Sequence, residues 1–194
     1  MLILASSSPR RRELLTRAGI AFEVQAAEIN EGLRHGESPK EYAQRLAHEK
    51  ARTVAALRPK DFILGADTIV LVDDEILGKP RDEGDATRML RLLSGRAHEV
   101  LTAVCLISPA GGTRKSAEDV RAETTRVYMH ELSDAEIAAY IASGEPMDKA
   151  GAYAIQGLAS RWIFKIEGDY SNVVGLPVAL VFRMLRAAGA LPAE

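Results

Sequence analysis

Cysteine is almost absent from this chain. The one thiol, Cys105, lies inside an apolar run, so an intramolecular disulfide is excluded and a cytoplasmic setting is expected. Long hydrophobic runs are missing too. The longest, such as Val173 to Phe182, fall well short of the ~20 apolar residues that a membrane-spanning helix needs. Leu2 to Ala5 is too short for the apolar core of a secretory signal. Neither sign of charge is in large excess. A net charge of −2 argues against non-specific binding to nucleic acid or to an anionic membrane surface, so any basic cluster acts locally. The four histidines, His35, His48, His98 and His130, have no metal-ligand spacing. The serine-hydrolase elbow G-x-S-x-G and the dinucleotide signature G-x-G-x-x-G are absent, as are internal repeats and low-complexity tracts.

What is present is 194 residues with 47% hydrophobic and 27% charged, enough for one soluble globular domain over 1–194 with room for two lobes. Its most distinctive stretch is Ser6-Ser7-Ser8-Pro9-Arg10-Arg11-Arg12. It follows a short buried-strand pattern, Leu2 to Ala5, and enters a helix ending at Gly19, with Ser8 as N-cap and Pro9 at the first helical position. Bases at a helix N-terminus oppose the helix dipole. Free N–H groups, serine hydroxyls and guanidinium forks together suit an anion such as phosphate. On this segment alone, a solvated basic turn stays open as the alternative.

Residues 21–25 read as a strand and 26–38 as a polar loop that carries Glu31. Ser38-Pro39-Lys40-Glu41 is a capping box opening a helix to about Leu57. Its apolar stripe is Ala43, Leu46, Ala47, Val54 and Leu57, and Lys50 falls inside that stripe. Such a lysine either snorkels outward or reaches an anion at the edge of the core. Asp67 stands at the junction of two buried runs, Phe62–Ala66 and Ile69–Val72, where a carboxylate needs a partner, a metal or a capping role. Gly78-Lys79-Pro80 closes a hairpin. An amphipathic helix over 82–94, strands over 98–108 and 122–132, a capping box at Ser133/Glu136, a strand over 162–166, a turn over 169–172 and a last helix to Ala188 complete the pattern. Gly112 to Ser116 has a superficial P-loop look, but Ile107 stands where the first glycine is required, and it reads as a hairpin tip. Gln156, in a small neutral stretch bounded by Gly151 and Gly157, carries donors and acceptors suited to a base edge, or is a surface glutamine. The alternation predicts an α/β fold with a mixed, twisted sheet and flanking helices.

Bases at 10, 11, 50 and 79 and acids at 31 and 67 lie in separate segments. Bases neutralise phosphates, and one or two carboxylates plus water and phosphate oxygens suit a Mg²⁺-type cation. The pattern therefore suits hydrolysis of a nucleotide or other polyphosphate.

The chain resembles the Maf family of nucleoside triphosphate pyrophosphatases. The matching pieces are Leu4-Ala5-Ser6-Ser7-Ser8-Pro9-Arg10-Arg11, Glu49-Lys50-Ala51, Gly65-Ala66-Asp67-Thr68, Gly78-Lys79-Pro80, Gly151 to Gly157, and Val173-Val174-Gly175-Leu176-Pro177, in family order. The resemblance implies an inosine triphosphatase-like fold with two lobes around a cleft. It also implies cleavage of a nucleoside triphosphate to monophosphate and pyrophosphate with a divalent cation (Mg²⁺, Mn²⁺ or Co²⁺), in a family that is often dimeric. By position, Asp67 matches the acceptor of the water proton, and Ser6, Arg11, Glu31, Lys50 and Lys79 match polar residues lining the cleft. Arg10, Thr68 and Gln156 match the branch acting on dTTP and UTP. The 7-methyl-GTP branch has a large aromatic, Gln and Glu there, which suits a cationic purine. The implied roles are triphosphate binding by Ser6, Ser8, Arg10, Arg11 and the first helix start, charge neutralisation by Lys50 and Lys79, cation binding by Glu31 and Asp67, and water activation by Asp67. Two rivals are a non-catalytic nucleotide-binding regulator of cell division and a phosphohydrolase that releases only the terminal phosphate.

Overall fold

A computed structural model describes residues 1–110 and 117–191, so Gly112 to Ser116 lie outside the described residues. The elements are β1 (Leu2–Leu4), α1 (Pro9–Arg17), β2 (Glu23–Val24), α2 (Pro39–Leu57), β3 (Phe62–Val72), β4 (Glu75–Leu77) and α3 (Glu83–Leu93). They continue with β5 (Ala97–Ile107), β6 (Glu118–Met129), α4 (Asp134–Ala142), β7 (Ile163–Glu167), α5 (Tyr170–Val174) and α6 (Val178–Ala188). The strands form one seven-stranded sheet in the order β2-β1-β3-β5-β6-β7, with β4 paired to β3. β1 runs parallel to β2 and β3, while β4 and β7 are antiparallel to β3 and β6. The α/β mixed sheet read from the sequence is the observed architecture.

The chain forms two compact units. The first comprises Met1–Asp67, Thr102–Glu123 and Gly175–Glu194. The period-two alternation of β3 decides what each of its faces does. Leu64 and Ala66 join Leu2 and Leu4 of β1, Leu15 of α1, and Val181, Met184 and Leu185 of α6 in one core. Gly65 and Asp67 take the opposite face, and there α2 lies against the strand. A Cβ at Gly65 would come within 2.2 Å of the Ala47 carbonyl oxygen, so only glycine admits the helix at this distance. The inward face of α2 is Ala43, Leu46, Ala47, Ala51 and Val54. Leu57, expected in that stripe, is exposed at the last residue of the helix. The Ser38–Glu41 capping box forms with both reciprocal bonds. Cys105 is fully buried, and burial pushes its thiol up to about 12, so it is inert as a nucleophile.

The second unit comprises Thr68–Leu101 and Thr124–Val174. In α3, Ala86, Met89, Leu90 and Leu93 are buried as the periodicity predicts, and Asp82 caps the helix through the Asp85 N–H. The capping box at Ser133 and Glu136 opens α4. Three short 3₁₀ turns over Glu145–Asp148, Ala150–Ala152 and Leu158–Trp162 fill the stretch before β7. Residues 169–172, expected as a turn, instead start α5, because the Asp169 carboxylate accepts from the N–H groups of Ser171 and Asn172. β6 begins at Glu118, earlier than the apolar pattern suggested, because the solvated half of this strand carries charges.

His98 is buried with Nε2 2.8 Å from the Tyr153 hydroxyl, and burial lowers its pKa to about 4. The folded state thus holds the ring neutral while the unfolded chain protonates it near its ordinary value of 6.5. The stability this contributes is complete above pH 6.5 and is lost as pH falls toward 4, on the order of 3 kcal/mol in all. Urea unfolding at pH 7 and pH 4.5 should register that loss, and His98→Gln should flatten it. Equal pH dependence in the two proteins would remove His98 as its source.

Candidate active site

The turn from β1 into α1 is built around a buried serine. Ser6 Oγ accepts from the Ser8 N–H at 3.2 Å and from Arg11 Nη1 at 3.1 Å. Ser8 occupies the N-cap position and Pro9 the first helical position, as the sequence predicts, but the Ser8 hydroxyl makes no capping bond. Arg11 is buried on the inner side of α1. Its Nε donates to the Gly175 carbonyl and its Nη1 to the Ala66 carbonyl, both at 2.8 Å. The guanidinium therefore fixes the peptide immediately before Asp67. Burial lowers the Arg11 pKa and the nearby Asp67 charge opposes that shift. Arg10 is half-buried and Arg12 exposed.

Asp67 and Lys50 form the centre of the site. Lys50 Nζ lies 2.7 Å from Asp67 Oδ1 and 2.7 Å from Glu31 Oε1. The lysine inside the apolar stripe of α2 therefore does not snorkel into bulk water; it reaches a carboxylate on the strand that the stripe covers. The side chains of Lys50 and Asp67 are 13% and 11% exposed, against 57% for Glu31. The Lys50–Asp67 pair is thus poorly screened, and the Glu31 contact is a rim contact. Burial raises the Asp67 pKa above the usual carboxylate range, while Lys50 and Arg11 pull it back. A carboxylate in that state is a stronger proton acceptor than one in water, and the Lys50 ammonium holds it in one place.

Glu31 sits on a loop that α2 straps down. The Tyr42 hydroxyl donates to the Glu31 carbonyl at 2.8 Å, and Arg45 Nη2 to the Gly32 carbonyl at 2.9 Å. Arg45 also grips Glu37 through Nε and Nη2, which holds the Glu37 carboxyl down at about 2. In the second unit, the Gly151 N–H donates to the Gly78 carbonyl at 3.0 Å, so the turn carrying Lys79 meets the stretch that leads to Gln156. Lys79 and Gln156 are exposed, and Thr68 is half-buried.

The family model for Maf-like proteins matches residues 1–188. The chain belongs to the Maf family. Among Maf relatives, a protein of Koribacter versatilis named dTTP/UTP pyrophosphatase is 60% identical over 190 residues, covering 98% of this chain and 95% of its own. Proteins of the same name from Citrifermentans bemidjiense and a Geobacillus species are 54% and 48% identical over 190 and 188 residues. They cover 98% and 97% of this chain, and 96% and 98% of their own lengths. The solved structure of the Staphylococcus aureus Ham1 protein matches 96% of this chain and 98% of its own at a TM-score of 0.48 and 13% identity.

In this Maf protein the first unit brings together Ser6, Arg11, Glu31, Lys50 and Asp67, from four separate stretches of sequence. The second unit carries Thr68, Lys79 and Gln156. Sequence reasoning missed Tyr42 and Arg45, the residues that seat Glu31. A helical spacing does connect Tyr42 to Lys50 along one side of α2, but nothing in the local pattern names a loop carbonyl as the phenol's partner. Among the described residues no cluster of three or more His, Cys, Asp or Glu side chains is placed to hold a metal ion, and no helix is long and apolar enough to cross a membrane.

Proposed function

We propose that this chain hydrolyses dTTP and UTP to the nucleoside monophosphate and pyrophosphate, as an enzyme of the cytoplasm acting on free nucleotides. The observation that carries the reading is the convergence of the Asp67 and Glu31 carboxylates on one cationic nitrogen, Lys50 Nζ, each at 2.7 Å. The names borne by the Maf relatives support the same reaction.

Water attacks the α-phosphorus, and Asp67 takes its proton. The new bond joins water oxygen to phosphorus; the bond broken is that between the α-phosphorus and the oxygen bridging to the β-phosphate, and pyrophosphate leaves with the electron pair. Lys50 holds Asp67 ionised and in place, and with Lys79 it offsets charge on the leaving group. Arg11 fixes the Ala66 carbonyl and through it the peptide that presents Asp67. Ser6, Ser8, Arg10, Arg11 and the start of α1 hold the phosphate chain. Arg10, Thr68 and Gln156 select the pyrimidine. The two carboxylates already meet at one cation and offer only hard oxygen donors, so they fit a Mg²⁺-type ion whose remaining ligands are water and phosphate oxygens. Bound there, such an ion supplies Lewis-acid polarisation of phosphoryl oxygen.

The test is a panel of nucleoside triphosphates assayed for pyrophosphate and for orthophosphate. Pyrophosphate from dTTP and UTP, ahead of the other nucleotides, is expected. Orthophosphate as the only inorganic product, or no product, would overturn the reading.

A further inference from the structure

Gln156 stands in a short turn whose two ends are fixed by one pair of side chains. On one side, the Ala154 N–H donates to the Tyr140 hydroxyl oxygen at 3.1 Å. On the other, the Leu158 N–H donates to both carboxylate oxygens of Glu145, at 3.0 and 3.1 Å. The pair is itself joined: the Tyr140 hydroxyl donates to Glu145 Oε1 at 2.8 Å. Within the turn, the Gly157 N–H returns to the Ala154 carbonyl at 3.1 Å. The seat is close-fitting, because a Cβ at Gly157 would fall 2.3–2.4 Å from the Glu145 carboxylate. Tyr140 is fully buried with its ring edge-on to Trp162, so it has no freedom to follow a shifted loop. Glu145 is anchored in turn, since Lys149 Nζ donates to its carbonyl at 3.2 Å and its N–H donates to Ser143 Oγ at 3.2 Å. Between these fixed points only Ile155, Gln156 and Gly157 are left, and Ile155 is buried while Gln156 is exposed. The result is one polar side chain presented from a rigid backbone.

We infer that Glu145 and Tyr140 are positioning residues for base selection: they hold the turn that presents Gln156, so the preference for thymine and uracil depends on them. The inference rests on the function proposed above and on Gln156 as a reader of the base. A site that hydrogen-bonds its substrate discriminates only as well as its donors and acceptors are held in place. A carboxylate that accepts from the Leu158 N–H and packs against Gly157 is therefore a selectivity determinant at one remove from the nucleotide.

The test compares kcat and KM for dTTP and dCTP in the wild type, Glu145→Ala, Gly157→Ala, Gln156→Ala and the Glu145→Ala/Gln156→Ala double variant, with thermal melts to confirm folding. Glu145→Ala should raise KM for dTTP about tenfold, the size of one or two hydrogen bonds, with kcat within about threefold. The dTTP:dCTP ratio of kcat/KM should fall by a similar factor. Gly157→Ala, which displaces the carboxylate without removing it, should reproduce this, and it serves in place of Glu145→Ala if that variant does not fold. The double variant should lose no more selectivity than Gln156→Ala alone, because both changes disable one reader. Parallel losses for dTTP and dCTP with the ratio unchanged, or additive losses in the double variant, would overturn the inference. A wild-type protein that releases no pyrophosphate from dTTP would instead overturn the function on which it rests.

Discussion

Replacing Asp67 with asparagine should lower kcat for dTTP by about 10³-fold, the range expected when a general base is removed, and leave the fold intact. The side chain keeps its shape and its Oδ1, which can still accept from Lys50 Nζ where the carboxylate does so at 2.7 Å. What it loses is the capacity to take a proton from water. Stability should move little, because two effects oppose each other. The variant relieves the cost of a carboxylate that burial already disfavours, and it weakens the ion pair with Lys50. Pyrophosphate release measured beside a thermal melt separates chemistry from folding. Turnover within tenfold of wild type would reject Asp67 as the base. Glu31→Gln should do less damage, since Glu31 lies at the solvent rim of the same lysine.

Gly65→Ala should destabilise the protein by about 3 kcal/mol or more, an effect at the upper end for a single methyl group. The added Cβ would meet the Ala47 carbonyl oxygen at 2.2 Å and the Ala51 backbone nitrogen and Cβ at 2.9 Å. These are backbone and near-backbone atoms of α2 that no rotamer change can move, so the helix must back away from β3. Lys50 lies on that helix between the two contacted residues, and Asp67 lies on the same face of the strand. The separation of the catalytic pair therefore widens with the helix, and the folded fraction should lose about 10²-fold in activity as well. Urea unfolding and activity per folded molecule check both parts. Gly78→Ala, where nothing lies within 4 Å of the added carbon, is the stability control and should cost less than about 0.5 kcal/mol. Wild-type stability in Gly65→Ala would mean that α2 and β3 do not meet as described.

How far the sequence could be read depended on whether the partner of a residue was local. Capping boxes at Ser38 and Ser133 and the inward face of α3 were legible because their partners lie within one or two helical turns. Lys50 was legible as an anomaly, a charge in an apolar stripe, and Asp67 as a carboxylate at the junction of two buried runs; that they belong to each other was not. Their pairing depends on Gly65 admitting the helix, a tertiary event without a periodic signal. Arg11 shows the same limit. Its basic character pointed to phosphate, but its carbonyl partners at Ala66 and Gly175 are far away in sequence. Leu57 failed in the other direction, because a helical stripe predicts a buried face only where something covers it. The clamp of Glu145 on Gly157 and Leu158 is invisible in both composition and periodicity.

In the proposed reaction, water deprotonated by Asp67 attacks the α-phosphorus of a pyrimidine nucleoside triphosphate. Hydrolysis of dTTP in H₂¹⁸O, followed by mass spectrometry of both products, tests it most directly. The heavy oxygen should appear in thymidine monophosphate, with pyrophosphate unlabelled. Label in pyrophosphate, or in orthophosphate released beside the diphosphate, would contradict it.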